Sequence, residues 1–183
     1  MSLSIIVPTC GRSSLRHTLA SLAGQPLPPD DEVLVCGGPA EAMSAVADYG
    51  ARYLPWPSGH NWGCGERTHA IAQARGTHLA FLDDDDTWLP RARAHIARAV
   101  ADAPDQPILF RMQYASGRVL WDKPRLLVGN VSTQMIVVPN DPLRLGTWSV
   151  RREGDYDFLA SMRWRPEAIV WREEVIAQIW KDA

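Results

Sequence analysis

Four consecutive carboxylates, Asp83-Asp84-Asp85-Asp86, close the apolar run Leu79-Ala80-Phe81-Leu82. Acids placed side by side repel one another and resist ionising together. A chain tolerates that most easily where a divalent cation or a polyphosphate–metal complex takes up the charge. The apolar run has the character of a buried strand. In open α/β sheets, ligands gather outside the carboxyl ends of such strands. As a structural turn, the run would need one acid only, with Asp86 or Thr87 capping a helix that starts near Pro90. Four acids exceed what a cap requires, so the run is expected to hold metal or phosphate.

The elements that position these acids are legible on both sides of them. Ser4-Ile5-Ile6-Val7 is a β-branched strand stopping at Pro8. Thr9-Cys10-Gly11-Arg12 forms a turn into a helix with Leu15, Leu19 and Leu22 on one face and Gly24 as its stop. A Pro- and Asp-rich loop over 25–31 leads to a strand at 32–36, broken by Gly37-Gly38-Pro39. An Ala-rich helix over 41–49 and a short strand at Tyr53-Leu54 follow. Residues 55–65 form a loop rich in Gly, Pro and Trp, too costly in entropy to be filler. A helix over 66–75, capped by Gly76, runs into the strand that carries the acids. This alternation predicts a parallel, doubly wound sheet with right-handed crossovers.

Past the acids, an Arg/Ala helix extends from Pro90 to about 103, and antiparallel strands are expected at 108–114 and 119–121 around Ser116-Gly117. A further strand is expected at 134–138 and a helix at 155–164, while 168–180 fits strand or helix. With 183 residues and no repeat, the chain reads as one domain, its first half over 1–103 and its second over 104–183.

Composition narrows the function classes. A hydrophobic content of 46% and a charged content of 22% are those of a soluble globular protein. A net charge of −2 gives no electrostatic footprint for non-specific binding to nucleic acid or membrane surfaces. Lys123 and Lys181 are the only lysines, so the cations are arginines, which grip phosphate in two-pronged fashion. Cys10, Cys36 and Cys64 are odd in number and form no C-x-x-C pair, which argues against a disulfide framework or zinc site. The apolar N-terminal run lacks a basic leader, and no segment is long enough to cross a bilayer. The expectation is a soluble, cytoplasmic protein.

Three motifs resemble one family. Ser4 to Arg12 (S-I-I-V-P-T-C-G-R) is similar to the opening strand and turn of family 2 glycosyltransferases of the GT-A fold. Residues 61–86, N-W-G-C-G-E-R-T-H-A-I-A-Q-A-R-G-T-H-L-A-F-L-D-D-D-D, resemble the family's Ala-Arg-Asn helix leading into the strand that ends in its D-x-D motif. Glu153 to Leu159 (E-G-D-Y-D-F-L) resembles the acidic motif that carries the general base in inverting members. The resemblance implies a GT-A domain with a Rossmann-like, mostly parallel sheet and a small antiparallel portion in its C-terminal half. It also implies metal-dependent transfer of a sugar from a UDP-, GDP- or dTDP-linked donor to an acceptor hydroxyl. Asp85 would bind Mn²⁺ or Mg²⁺, with Asp83 on ribose or the metal shell. Asp84 and Asp86 would serve the nucleotide or donor sugar. Pro8, Thr9 and Arg12 would line the nucleotide pocket, Arg67 would approach diphosphate or base, and Asp155 would deprotonate the acceptor.

Each residue also has a structural reading. Thr9 and Gly11 can shape a turn, Arg12 can be a solvated first-turn residue, and Asp155 can be a helix N-cap with Asp157 a favourable first-turn charge. Trp56 and Trp148 read as packing, whereas Trp62, in the Gly-rich loop, reads as a ligand contact.

The chain departs from the family in four places. The acid that usually follows the second strand and reads the base is missing from Val35-Cys36-Gly37-Gly38, although Glu41 could reach in. Thr68 replaces the usual Asn, Gly154 stands where an acid is expected, and no histidine follows His95. Two rivals remain. Asp83-x-Asp85-x-Thr87 also fits the nucleophile motif of haloacid-dehalogenase-like phosphatases, which needs a downstream Lys and a second acidic pair, and only Lys123, in an expected strand turn, is available. A catalytically silent module that binds a sugar nucleotide is the other.

Overall fold

In the computed structural model, which describes residues 1–39, 42–57 and 62–180, the β-branched run at the N-terminus forms β1 (Leu3–Thr9), buried throughout. α1 (Leu15–Ala23) turns Leu15, Leu19 and Leu22 into the core and ends at Gly24, whose N–H reaches the Ala20 carbonyl. β2 (Glu32–Gly37), α2 (Ala42–Asp48), β3 (Arg52–Leu54), α3 (Cys64–Ile71) and β4 (His78–Phe81) complete the expected alternation. β1 pairs in parallel with β2 and β4, and β2 with β3. β1 runs through Pro8 instead of stopping there. Its pairing with β4 ends at Ile6, so Pro8 lies where β2 is the paired neighbour, and a residue without an N–H is tolerated.

β5 (Asp86–Trp88) and α4 (Ala92–Asp102) close the first half, and the second comprises β6 (Ile108–Tyr114), β7 (Val119–Leu120), β8 (Ile136–Pro139), α5 (Gly154–Ser161) and β9 (Val170–Ile179). One sheet spans both halves in the order β3-β2-β1-β4-β8-β6-β9-β5, with β7 on β6. β8 joins the halves, antiparallel to both β4 and β6.

Several boundaries differ from the sequence expectation for identifiable reasons. Asp86 opens β5, a strand too short for a pattern to reveal, because Asp86 to Trp88 pair with β9. α4 therefore begins at Ala92 with Arg91 at its N-cap, and neither Asp86 nor Thr87 caps it. The ambiguous tail is strand, decided by its parallel pairing along β6, a non-local contact. Gln134 sits in a 3₁₀ turn, Thr133–Met135, ahead of β8. α3 starts earlier than expected, at Cys64, and α5 stops at Ser161, short of Trp164, whose indole N–H bonds the Asp105 carbonyl at 3.0 Å.

A buried ion pair ties α4 to the start of β1. Arg93 of α4 contacts Asp31 through Nε at 2.5 Å and Nη2 at 3.0 Å, and Asp31 accepts the Leu3 N–H at 2.9 Å. α5 is docked by an aromatic cluster: Trp148 stacks on Phe158 with centroids 4.5 Å apart, and both rings meet Phe81 of β4 edge-on. Beside it Gly146 packs against α5 so closely that a Cβ would overlap the Phe158 carbonyl oxygen. Gly146→Ala is therefore expected to destabilise the fold by about 1–3 kcal/mol or more through overpacking. A melting temperature equal to that of the unaltered protein would show that α5 is not held here.

Candidate active site

The four acids leave the end of β4 in four environments. Asp84 is 4% exposed and accepts from Thr9 Oγ1 at 2.7 Å, the Cys10 N–H at 3.3 Å and Arg12 Nη1 at 3.0 Å. Thr9 Oγ1 in turn accepts the Gly11 N–H at 2.9 Å, so the turn after β1 is built onto this carboxylate. Burial pushes the Asp84 carboxyl up, against the pull of Thr9 and Arg12. Asp86, also buried, accepts from Gln134 Nε2, while its carbonyl accepts from Thr18 Oγ1 at 2.7 Å. Burial, with Asp83 and Asp85 nearby, pushes the Asp86 carboxyl up to about 8.

Asp83 and Asp85 face outward, with side chains 32% and 20% exposed. Asp83 is paired with Arg67 Nη2 and accepts from Gln134 Nε2 at 3.1 Å. Asp85 lies 2.9 Å from Arg12 Nη1, so a single guanidinium nitrogen spans Asp84 and Asp85. Among the described residues, no group of three His, Cys, Asp or Glu side chains converges to hold a metal alone. Two outward carboxylates fit a different arrangement, a hard cation that takes most of its shell from a diphosphate and water.

Arg67 connects the acids to the second half. Its Nη1 donates to the Trp62 carbonyl at 2.7 Å, its guanidinium lies 4.8 Å from the Trp148 ring centroid, and its buried Nε has no partner. Trp148 is thus the floor beneath Arg67 as well as a core residue. Asp155, in the first turn of α5, is close enough to feel both Arg67 and Asp83. Its carboxyl is raised to about 6, chiefly by burial, while its own Oδ1 accepts the Tyr156 N–H at 2.7 Å. Asp157 is held differently: Arg151 and Ser149 hold its carboxyl down at about 2. The fold thus gathers Thr9, Arg12, Arg67, Asp83, Asp84, Asp85 and Asp155 around one end of the sheet.

Trp62 is 63% exposed with φ 56, beside the same site, while Trp56 packs on His69 at 4.7 Å. Glu41 lies outside the described residues. Three residues went unforeseen: Gln134, which bridges Asp83 and Asp86; Thr18, which anchors the acid loop; and Glu66, a buried acid on α3. The one sequence sign was a polar residue at the head of an apolar run, Gln134 before Met135-Ile136-Val137-Val138.

The model of glycosyl transferase family 2 matches residues 4–159, from β1 through the aspartates to α5. The chain belongs to this family. The match includes the N-terminal strands that a dehalogenase-like phosphatase reading leaves unexplained, and with it that reading loses its support. No curated protein matches the chain in sequence. Solved structures share the GT-A fold. S. aureus TarS 1-349 superposes with a TM-score of 0.76 at 18% identity, over 98% of this chain and 60% of that one. Glucosyl-3-phosphoglycerate synthase from Mycobacterium tuberculosis, in complex with Mg²⁺ and UDP, gives 0.68 at 14% identity over 100% and 72%. The mannosyltransferase PcManGT from Pyrobaculum calidifontis, in complex with GDP-Man and Mn²⁺, gives 0.60 at 15% over 96% and 56%. This family 2 chain spans 37% of one TarS structure and 60% of TarS 1-349. Among its described residues, no helix is long and apolar enough to cross a membrane.

Proposed function

We propose that this protein is a cytoplasmic, metal-dependent, inverting glycosyltransferase. It moves a sugar from a nucleoside-diphosphate sugar to an acceptor hydroxyl. The observation that carries this reading is Asp155, a carboxyl raised to about 6 and set within electrostatic reach of the Arg67–Asp83 pair at the end of β4. Such a group is ionised at neutral pH yet basic enough to take a proton from a hydroxyl.

Pro8 and Thr9 form the edge of the nucleotide pocket, with Trp62 at its open side. Arg12, 48% exposed, stands between the acids and solvent, where it can pass from Asp85 to a diphosphate. Arg67, with a donor to spare at Nε, faces the diphosphate from the α3 side. Asp84 serves the donor through the Arg12 it holds. Asp83 and Asp85 would hold Mn²⁺ or Mg²⁺, which when bound offsets the charge that develops on the leaving diphosphate. Asp155 removes the acceptor proton as the oxygen bonds to the anomeric carbon. The bond to the diphosphate breaks on the opposite face, so one displacement inverts the centre. The solved complexes of similar fold with UDP-GlcNAc, with UDP and Mg²⁺, and with GDP-Man and Mn²⁺ support this choice of donor class. The acceptor engages the second half, residues 104–183.

A thermal-shift screen of nucleoside diphosphates and their sugars, with and without Mn²⁺, tests the proposal. We expect one nucleotide to raise the melting temperature by several degrees with metal and little without it, as binding at about a hundred times Kd gives. No shift with any of them would sink the reading.

A further inference from the structure

The run that ends β2 carries no acid, yet an acid lies against it. Gly37, with φ 94, leaves a space in which a Cβ would fall 2.9 Å from Glu66 Cγ and 2.6 Å from the Thr9 carbonyl oxygen. Glu66 reaches that space from the first turn of α3 and is 3% exposed. Its proximity is felt by the neighbouring Cys36 thiol, pushed up to about 12 by burial and by the Glu66 charge. Glu66 Oε2 is buried and has no hydrogen-bond partner. A carboxylate oxygen only accepts, and one left without a donor is costly enough that it points to a donor brought from outside. The place is the carboxyl end of two adjacent parallel strands, the position where ligands bind in such sheets. Beside it, the half-buried Tyr53 hydroxyl donates to the Gly38 carbonyl at 3.0 Å, and Arg67 follows Glu66 directly and faces Asp83. A nucleotide with its phosphates at Arg67 and the acids therefore places its base beside Glu66.

We propose that Glu66 Oε2 accepts the ring N–H of the donor's nucleobase and so selects bases with a ring N–H next to a carbonyl. Uracil and thymine offer N3–H and guanine offers N1–H, whereas cytosine and adenine present a bare ring nitrogen that would face the carboxylate lone pairs. Gly37 is the other half of the device, since any side chain there would displace Glu66. This inference rests on the nucleotide-sugar reading given above.

Calorimetric titration of the full chain with UDP, dTDP, GDP, CDP and ADP in the presence of Mn²⁺ tests it. The unaltered protein is expected to bind its preferred ring-N–H nucleotide at least about tenfold tighter than CDP or ADP, as a buried hydrogen-bond mismatch dictates. The UDP and GDP arms decide between the pyrimidine and the purine. In Glu66→Gln the preference is expected to collapse to about twofold through loss on the tight side, because an amide can turn a donor or an acceptor to any base. The second arm needs no variant: methylating the ring nitrogen of the preferred nucleotide is expected to cost the unaltered protein about the same tenfold. If Glu66→Gln fails to fold, this arm decides alone. A preference unchanged in Glu66→Gln, or full affinity for the methylated nucleotide, overturns the role of Glu66 and leaves the transferase reading standing. Failure of every nucleoside diphosphate to bind overturns both.

Discussion

Asp155→Asn is expected to lower turnover by about three orders of magnitude while donor affinity stays within about twofold, the pattern of a lost general base. The substitution keeps an oxygen for the Tyr156 N–H and removes only the ability to accept a proton in the reaction. The same carboxyl sets the pH dependence. It is raised from 3.8 to about 6, chiefly by burial, so the base is lost as pH falls through about 6, and the rate should rise through that value to a plateau. The effect on stability has the opposite sense. Between those two values the folded protein carries a proton that the unfolded chain has lost, so this group's contribution to stability declines as pH rises. Asp155→Asn should therefore melt no lower than the unaltered protein at pH 7. The neighbouring acid supplies the control. Asp157 is held down at about 2 by Arg151 and Ser149, which makes it a poor base, and Asp157→Asn should retain turnover within about tenfold. Steady-state kinetics of transfer or of donor hydrolysis decide between the two. Near-normal kcat in Asp155→Asn would remove the assignment and favour a module that binds its nucleotide without turning it over.

What the sequence made legible, and what it hid, divides along the range of the forces involved. β1, α1 and β2 announce themselves through β-branched runs, leucine spacing and a terminal glycine, all local signals, and they fold as read except that β1 continues through Pro8. The strand that ends in the aspartates is legible for the same reason. The environment of the aspartates is not, because much of it is written by residues 48 to 75 positions away: Thr9 and Arg12 on Asp84, Gln134 on Asp83 and Asp86. Asp86, read as a cap, became a strand residue once β9 paired with it. β9 itself was ambiguous because its pattern fits two periods, and its neighbour β6 resolved it. Glu66 illustrates the limit most sharply. In one dimension it is an ordinary acid in a first helical turn; in three it fills the space that Gly37 leaves empty beside Thr9.

Asp85→Asn is expected to abolish the metal-dependent part of nucleotide binding, weakening the metal by at least about a hundredfold, since even partners behind the ligands of a metal matter by tenfold or more. The choice of Asp85 follows from how the four acids are spent. Asp84 is closed off by three donors and serves to hold the turn after β1. Asp86 is buried against Gln134. Asp83 faces out but is engaged by both Arg67 and Gln134. Asp85 faces out toward Arg12, an exposed side chain that a diphosphate can draw away. The contrast with Asp84→Asn separates metal binding from scaffolding. That change leaves Thr9, the Cys10 N–H and Arg12 facing an amide, and is expected to cost about 1–3 kcal/mol of stability. Its residual nucleotide binding should still respond to Mn²⁺. Titrations with and without Mn²⁺, beside thermal melts of both variants, read the two effects independently. A full metal response in Asp85→Asn, or its loss in Asp84→Asn without loss of stability, would reverse the roles of the two acids: the buried carboxylate would be the ligand, and the exposed one only the counter-charge of Arg12.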